Sequence, residues 1–164
     1  MARARSMQPQ ATGFDAGIVR DRARISQARA LRERVLARDN DSRSGHERFE
    51  EHSDHLVVRD AKSGDVVGAY RILSPGDARR AGGYMADRDF DLALLVVLRE
   101  RMVEVDRPCV DPRYPYESVM AHLWSALARY LIEYRYDYVF GAASVALSRH
   151  LLFELGPGFD LFGC

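Results

Sequence analysis

An acid and a base stand in the middle of one apolar segment, Met102–Val110, which reads MVEVDRPCV. Its branched residues indicate a buried strand, and Asp111-Pro112 ends it. A charge inside a protein is costly unless it is paired or used in a reaction. Glu104 and Arg107 are therefore the first candidates for chemistry. Glu104 could act as a general base, directly or through a water molecule.

The backbone decides whether these two side chains can act together. On a regular strand Glu104 and Arg107 would point to opposite faces, because side chains alternate. A bulge at Val105-Asp106 would bring them to one face. The alternative is a structural ion pair between Glu104 and either Arg107 or Arg71.

Arg71 stands in the middle of a second apolar segment, so it needs a carboxylate partner. Glu104 and Asp54 are the candidates. Arg71 could clamp a substrate carboxylate or hold the base, and a plain core ion pair explains it equally well. Glu50 and Asp54 precede a strand, where a solvated loop is the ordinary explanation.

Composition and charge exclude several classes of protein. The chain has 164 residues, 47% apolar and 29% charged, which is typical of one globular domain. A net charge of zero argues against nucleic-acid binding. Two cysteines make no disulfide framework, and residues 1–20 lack an apolar run, so we expect a cytoplasmic protein. The histidines lack metal-ligand spacing, and Cys109 is typical of a packed strand residue.

The pattern predicts a mixed α/β domain over residues 14–164 after a flexible N-terminus, residues 1–13. Asp21 should cap a first helix, and the charged run 38–48 should be a loop. Residues 55–59 and 66–74 form a hairpin, and residues 76–90 form a loop. Asp91 could cap a short helix. Tyr116–Tyr134 is the clearest helix, and a strand at 138–144, a helix from Ser144 or Ser148 and a strand at 159–162 should follow.

Five segments in this order resemble one family: ERFEEHSDHLVV at 47–58, VGAYRILSP at 67–75, VEVDRPCVDP at 103–112, LWSALARY at 123–130 and VFGAAS at 139–144. Together they are similar to the GNAT acyltransferases, in the branch that takes long acyl chains from a carrier protein. That branch holds ornithine-lipid N-acyltransferases, N-acyl amino acid synthases and, further off, autoinducer synthases. The resemblance implies a GNAT-like fold: a central, mostly antiparallel twisted sheet with flanking helices, in which the bulged strand at 102–110 splays from the strand at 138–144.

The resemblance also implies roles for particular residues. Glu104, Arg107 and Arg71 would be catalytic, and the acids Glu50 and Asp54 would support the acceptor pocket. The acyl pocket would be lined by Leu94, Leu95, Leu98, Phe140, Leu152 and Phe153, although core packing explains these residues as well. Acyl carrier protein would be met by Arg113, Arg129 and Arg149, although a solvated helix face explains arginines there as well.

Two departures from the family bear on the donor. Relatives usually have Gly where Asp106 stands and Ser where Pro108 stands. A coenzyme A enzyme cradles pyrophosphate at a helix N-terminus, but here Pro115 lacks an amide N–H and Glu117 adds negative charge. These residues favour an acyl carrier protein donor over coenzyme A. The same departures are also compatible with a weakened or inactive member of the family.

The sequence therefore predicts an N-acyltransferase that moves a long-chain, or 3-hydroxy, acyl group from acyl carrier protein to the α-amine of an amino acid. Ornithine is the leading acceptor, and a neutral or aromatic amino acid such as tyrosine is close behind. The thioester needs no metal or redox cofactor. An amphiphilic product makes the inner membrane face a further expected location. The alternatives are an autoinducer synthase and a non-catalytic relative that binds acyl carrier protein or lipid.

Overall fold

The computed structural model describes residues 13–36 and 47–142 of the chain. Within them the strands are β1 (Phe14–Val19), β2 (Asp54–Asp60), β3 (Val66–Leu73), β4 (Met102–Val110) and β5 (Tyr138–Phe140). The α-helices are α1 (Arg22–Val35), α2 (Glu47–His52), α3 (Pro75–Ala81) and α4 (Tyr116–Tyr134). Two 3₁₀ helices, Ala86–Arg88 and Ala93–Arg101, lie between α3 and β4.

The strands form one sheet in the order β1-β2-β3-β4-β5. The first three pairings are antiparallel, and β5 joins β4 in parallel. Alternating side chains give the sheet two covered faces. The core on one face contains α4 and residues such as Leu56, Tyr70 and Ile72. On the other face Val57 and Ala69 pack with α1. The predicted fold class is confirmed.

Helix α1 begins where the sequence predicts. The Asp21 side chain accepts a hydrogen bond from the Arg24 N–H at 2.9 Å. Such a cap satisfies one of the amide groups that a helix start leaves unpaired.

The predicted loop at residues 76–90 is wrong in its first part, because α3 forms there. Ser74 caps α3 by accepting from the Asp77 N–H at 3.2 Å, and Pro75 follows at the first helical position. Gly82 ends the helix in the left-handed conformation, with φ of 83°. These are ordinary helix signals compressed into nine residues.

Two glycines permit close approaches that set the layers. A Cβ on Gly68 of β3 would lie 2.4 Å from Val119 Cγ1, so α4 packs directly on this strand. A Cβ on Gly141 would lie 2.3 Å from the Val105 carbonyl oxygen. The end of β5 therefore rests against the β4 backbone.

Strand β4 is bulged, but not where the sequence predicts. Asp106 pairs with Arg71 and Cys109 pairs with Ala69, so Arg107 and Pro108 together oppose a single residue of β3. Arg107 takes the left-handed conformation, with φ of 53°. The bulge thus lies at Arg107-Pro108 rather than at Val105-Asp106, because the extra residue is placed next to the proline, which has no N–H for the ladder.

Several predictions fall outside the described residues. They are the N-terminal segment before residue 13, most of the charged run 38–48, the last helix and strand, and Arg149, Leu152 and Phe153. In the described ranges no helix is long and apolar enough to cross a membrane.

Candidate active site

The Glu104 carboxyl is buried on β4, with 2% of the residue exposed. Its register neighbours are Leu73 on β3 and Phe140 on β5. Oε2 accepts from the Met85 N–H at 2.6 Å, and Oε1 accepts from the Ala86 N–H at 2.8 Å. Each oxygen keeps a second lone pair.

Burial raises the pKa of Glu104 to about 7, although the two amide hydrogen bonds act in the opposite direction. The neighbouring Asp106 carboxylate raises it further. A carboxyl with a pKa near neutrality can both take up and release a proton under physiological conditions. The geometry is thus compatible with a general base.

A short segment after α3 holds this carboxyl in place. The Tyr84 hydroxyl lies 2.8 Å from the Met102 carbonyl oxygen and 3.0 Å from that of Arg99. Tyr84 also packs edge-on against Phe140, with ring centroids 5.1 Å apart. Tyr84 therefore anchors residues 84–86 to the junction between the second 3₁₀ helix and β4.

Arg71 is buried and held by protein groups at both terminal nitrogens. Nη1 donates to Glu50 Oε2 at 3.0 Å, and Nη2 donates to Asp106 Oδ2 at 2.5 Å. Nη2 also lies 3.0 Å from Met85 Sδ. The carboxylate partners of Arg71 are Glu50 and Asp106, not the predicted Glu104 or Asp54. Asp106 takes this role because it lies directly opposite Arg71 in the ladder.

Arg32 and His55 complete the cluster, and sequence reasoning missed both. Arg32 Nη2 pairs with Glu50 Oε1 and lies 3.1 Å from His55 Nδ1. Arg29, on the same helix, donates to Glu50 Oε1 at 3.0 Å. The sequence did contain a signal for Arg32. It follows Leu31 and lies four residues after Ala28, which places it on the apolar face of α1.

The charges in this cluster shift two pKa values downward. Burial raises the pKa of Glu50, but the guanidiniums of Arg32 and Arg71 outweigh it and hold that pKa below its usual range. Burial, followed by the charge of Arg32, lowers the pKa of His55 to about 4. His55 is therefore neutral at physiological pH, while Glu50 is ionised.

Two predicted site residues lie elsewhere. Asp54 pairs with Ile72 on the α4 face of the sheet and accepts a hydrogen bond from the Tyr130 hydroxyl at 3.1 Å. It therefore lies on the opposite face from Glu50. Arg107 is half-buried at the bulge, and within the described ranges it forms no hydrogen bond or ion pair with Glu104.

The predicted acyl-pocket residues divide into two sets. Leu95, Leu98 and Phe140 are partly buried against the cluster that contains Leu73 and Met102, on the same side of the sheet as Glu104. Leu94 is 92% exposed, so it lines no apolar wall in this structure. The turn of the 3₁₀ helix that carries these leucines points Leu94 outward.

The two described carrier-protein candidates are also apart. Arg113 follows β4, where it forms a two-pronged pair with the buried Asp111 carboxylate, at 3.0 and 2.8 Å. Arg34 of α1 pairs with the same carboxylate at 2.7 Å. Arg129 lies more than three turns along α4 and donates to the Ala16 carbonyl at 3.2 Å. Only Arg113 therefore stands at the end of the bulged strand.

Other chemistry finds little support among the described residues. Residues 13–36 and 47–142 contain no group of three potential ligands that could hold a metal ion. Burial raises the pKa of the Cys109 thiol to about 11, which makes it a poor nucleophile.

Comparison with known proteins gives a consistent family. A model of the acetyltransferase (GNAT) domain matches residues 29–125. An L-ornithine N(alpha)-acyltransferase of Rhodobacter capsulatus is 30% identical over 145 residues, covering 80% of this chain and 56% of that protein. Another from Brucella abortus is 29% identical over 143 residues, covering 77% and 51%. The chain thus spans about half the length of the curated relatives it matches.

A solved structure shares the fold. The N-acyl amino acid synthase FeeM, from uncultured soil microbes, superposes with a TM-score of 0.66 at 19% identity, over 84% of this chain and 75% of that one. At this identity the likeness describes the arrangement of strands and helices.

Proposed function

Because the chain belongs to the GNAT acetyltransferase family, as its motifs predicted, we propose that it is an N-acyltransferase. It moves a long-chain acyl group from a thioester donor to the α-amine of an amino acid. The relatives named L-ornithine N(alpha)-acyltransferase make ornithine the leading acceptor. FeeM, named an N-acyl amino acid synthase, supports an amino acid as the acceptor in general. A neutral or aromatic amino acid stays the second candidate, as expected from the sequence.

One observation carries the proposal: a buried carboxyl with a pKa near 7 lies where, among the described residues, the pairing of β5 with β4 ends. Strand β5 pairs with β4 only from Met102 to Glu104, whereas β4 continues to Val110. Within the described residues, the backbone beyond Glu104 is not paired with β5. This edge is where we place the thioester, with a backbone N–H facing its oxygen as negative charge develops.

The reaction balances without a cofactor. The neutral amine attacks the thioester carbon, a C–N bond forms, and the nitrogen gives its proton to Glu104, directly or through water. The C–S bond then breaks, and the leaving sulfur takes up a proton to become a thiol. Arg71 is a positioning residue that holds Asp106 and Glu50. Arg107, at the bulge, lies on the donor side.

The rim of the cluster suits a cationic acceptor. The side chains of Glu50 and Asp106 are 14% and 18% exposed, whereas those of Arg32 and Arg71 are 4% and 2% exposed. The carboxylate oxygens of Glu50 and Asp106 could still accept hydrogen bonds from the ammonium group of an amino acid. This supports the proposal that Glu50 lies near the acceptor.

We propose acyl carrier protein as the donor. Helix α4 begins after Pro115, which makes no side-chain cap, and Glu117 stands in its first turn. A pyrophosphate would meet negative charge there instead of a glycine-rich cradle. Arg113, exposed at the end of β4, is the described residue best placed to contact an acidic carrier protein. An amphiphilic product would favour work at a membrane surface.

The test is acylation by the purified chain. Palmitoyl acyl carrier protein and palmitoyl coenzyme A are each incubated with ornithine, tyrosine or S-adenosylmethionine. Thiol release and mass spectrometry of N-acylated products report the reaction. Amide-linked acylornithine formed from the carrier-protein donor supports the proposal. A lactone product would indicate an autoinducer synthase, and no product from any pair would indicate a non-catalytic relative.

The base is tested with Glu104→Gln, and exposed Glu133→Gln on α4 is the matched control. We expect kcat/KM to fall about 100-fold or more in the first variant, since general bases contribute about that factor. Wild-type kcat/KM, expressed per neutral ornithine α-amine, should rise with pH and level off above about 7, because Glu104 must be ionised to accept a proton. Full activity of Glu104→Gln would exclude Glu104 as the base.

A further inference from the structure

Arg32 has a buried nitrogen without a partner. The residue is 3% exposed and lies on the sheet side of α1. Its Nη2 is used by Glu50 and His55. Its Nη1 is the one buried side-chain nitrogen or oxygen, among the residues that the structure describes, without a hydrogen bond.

An unpaired guanidinium nitrogen inside a protein needs an explanation. Arginine stays charged and presents N–H groups in a flat fork that matches a carboxylate. A buried donor without an acceptor costs free energy, so such groups are rare unless a ligand or water meets them.

The charges of the cluster also favour an anionic ligand. Three guanidiniums, those of Arg29, Arg32 and Arg71, share two carboxylates, Glu50 and Asp106. His55 adds no charge at physiological pH because its pKa is about 4. While Glu104 is protonated, the cluster therefore has an excess of one positive charge, which one monoanion would balance.

Arg71 is less suited than Arg32 to bind such an anion. Both of its terminal nitrogens already bind protein carboxylates. Arg29 is half exposed and turns its Nε toward Glu50. Arg32 is thus the buried guanidinium of this cluster that has a terminal nitrogen without a hydrogen-bond acceptor.

The cluster is also joined to the proposed base. Met85 donates its N–H to Glu104 at 2.6 Å, and its Sδ lies 3.0 Å from Arg71 Nη2. Arg71 in turn shares Glu50 with Arg32. Arg32 is therefore linked to Glu104 through Glu50, Arg71 and Met85.

We propose that Nη1 of Arg32 binds the α-carboxylate of the acceptor. This inference rests on the proposed function, and it gives Arg32 the clamp role that the sequence assigned to Arg71. Recognition of the carboxylate would restrict acylation to amino acids and exclude simple amines.

The experiment compares ornithine with putrescine, which is the same diamine without the carboxylate, and with ornithine methyl ester. We expect wild-type kcat/KM to be at least about tenfold lower for putrescine and for the methyl ester, which both lack the carboxylate, than for ornithine. A charge-assisted hydrogen bond is worth about that factor. Arg32→Lys keeps the charge but loses the fork. It should raise the KM for ornithine about tenfold and leave putrescine unchanged. Arg22→Lys, at an exposed position of the same helix and outside the cluster, is the control.

Each outcome decides the matter. Equal use of ornithine and putrescine by the wild type would overturn the inference. So would an equal loss with both acceptors in Arg32→Lys, which would mean that Arg32 is structural and that a buried water meets Nη1. Circular dichroism checks that the variant folds. If the wild type acylates no amine at all, the proposed function itself fails, and that result differs from both others.

Discussion

The pKa of Glu104 makes a prediction about stability that does not depend on catalysis. A carboxyl whose pKa is about 7 in the folded protein and 4.5 ordinarily binds its proton more tightly when folded. Its contribution is fully present below about pH 4.5 and is lost as the pH rises through about 7. Above that pH, folding must keep an ionised carboxylate in an apolar cluster.

The magnitude follows from the two pKa values. A pKa difference of one is worth 1.36 kcal/mol, so the full effect is about 3 kcal/mol, most of which falls between pH 5 and pH 8. Glu104→Gln has no proton to lose. The free energy of unfolding of the wild type should therefore decline by about 2–3 kcal/mol relative to this variant across that range.

Urea unfolding at several pH values, followed by circular dichroism, measures the difference. Only the change with pH counts, because the glutamine NH₂ would also face one of the amides of Met85 and Ala86, which lowers stability at every pH. If the two curves stay parallel within about 0.5 kcal/mol, the carboxyl ionises as easily inside the protein as outside. The physical basis for Glu104 as a base near neutral pH would then be lost.

Two packing predictions follow from the same structure. Gly68→Ala should lower the free energy of unfolding by about 1–3 kcal/mol, because its Cβ would meet Val119 Cγ1 at 2.4 Å, whereas Gly17→Ala, with open space around it, should cost nothing. Equal urea midpoints for both variants would contradict this. Ser74→Ala removes the cap of α3 and should cost about 1 kcal/mol in the same assay; an unchanged midpoint would show that the cap does not hold the helix.

Long periodic elements could be predicted from the sequence, and short ones could not. Met102–Val110 and Tyr116–Tyr134 agree with the structure at both ends, because buried alternation and a helical apolar stripe are strong signals. Helices α2 and α3 have six and seven residues, too few for periodicity to show. Their starts depend on caps and tertiary contacts instead.

The candidate site could be predicted in part. Glu104, Arg71 and Glu50 lie on one side of the sheet, but the partners of Arg71 differ from the predicted ones. The register of β3 on β4, which no local pattern reveals, gives Asp106 to Arg71. Arg32 was missed because a long basic side chain on a helix normally reaches solvent, and only the packed structure shows that this one does not.

The bulge has a consequence for how folding and chemistry are divided within β4. Asp106 and Cys109 pair with Arg71 and Ala69, which are two residues apart on one face of β3, yet they are three apart in the chain. A chain lacking one of Arg107 and Pro108 would restore an even spacing and keep both side chains on the side they now cover. The added residue is therefore not needed to pair β3 with β4, and under the proposed function it instead shapes the strand along which the acyl group would be exchanged.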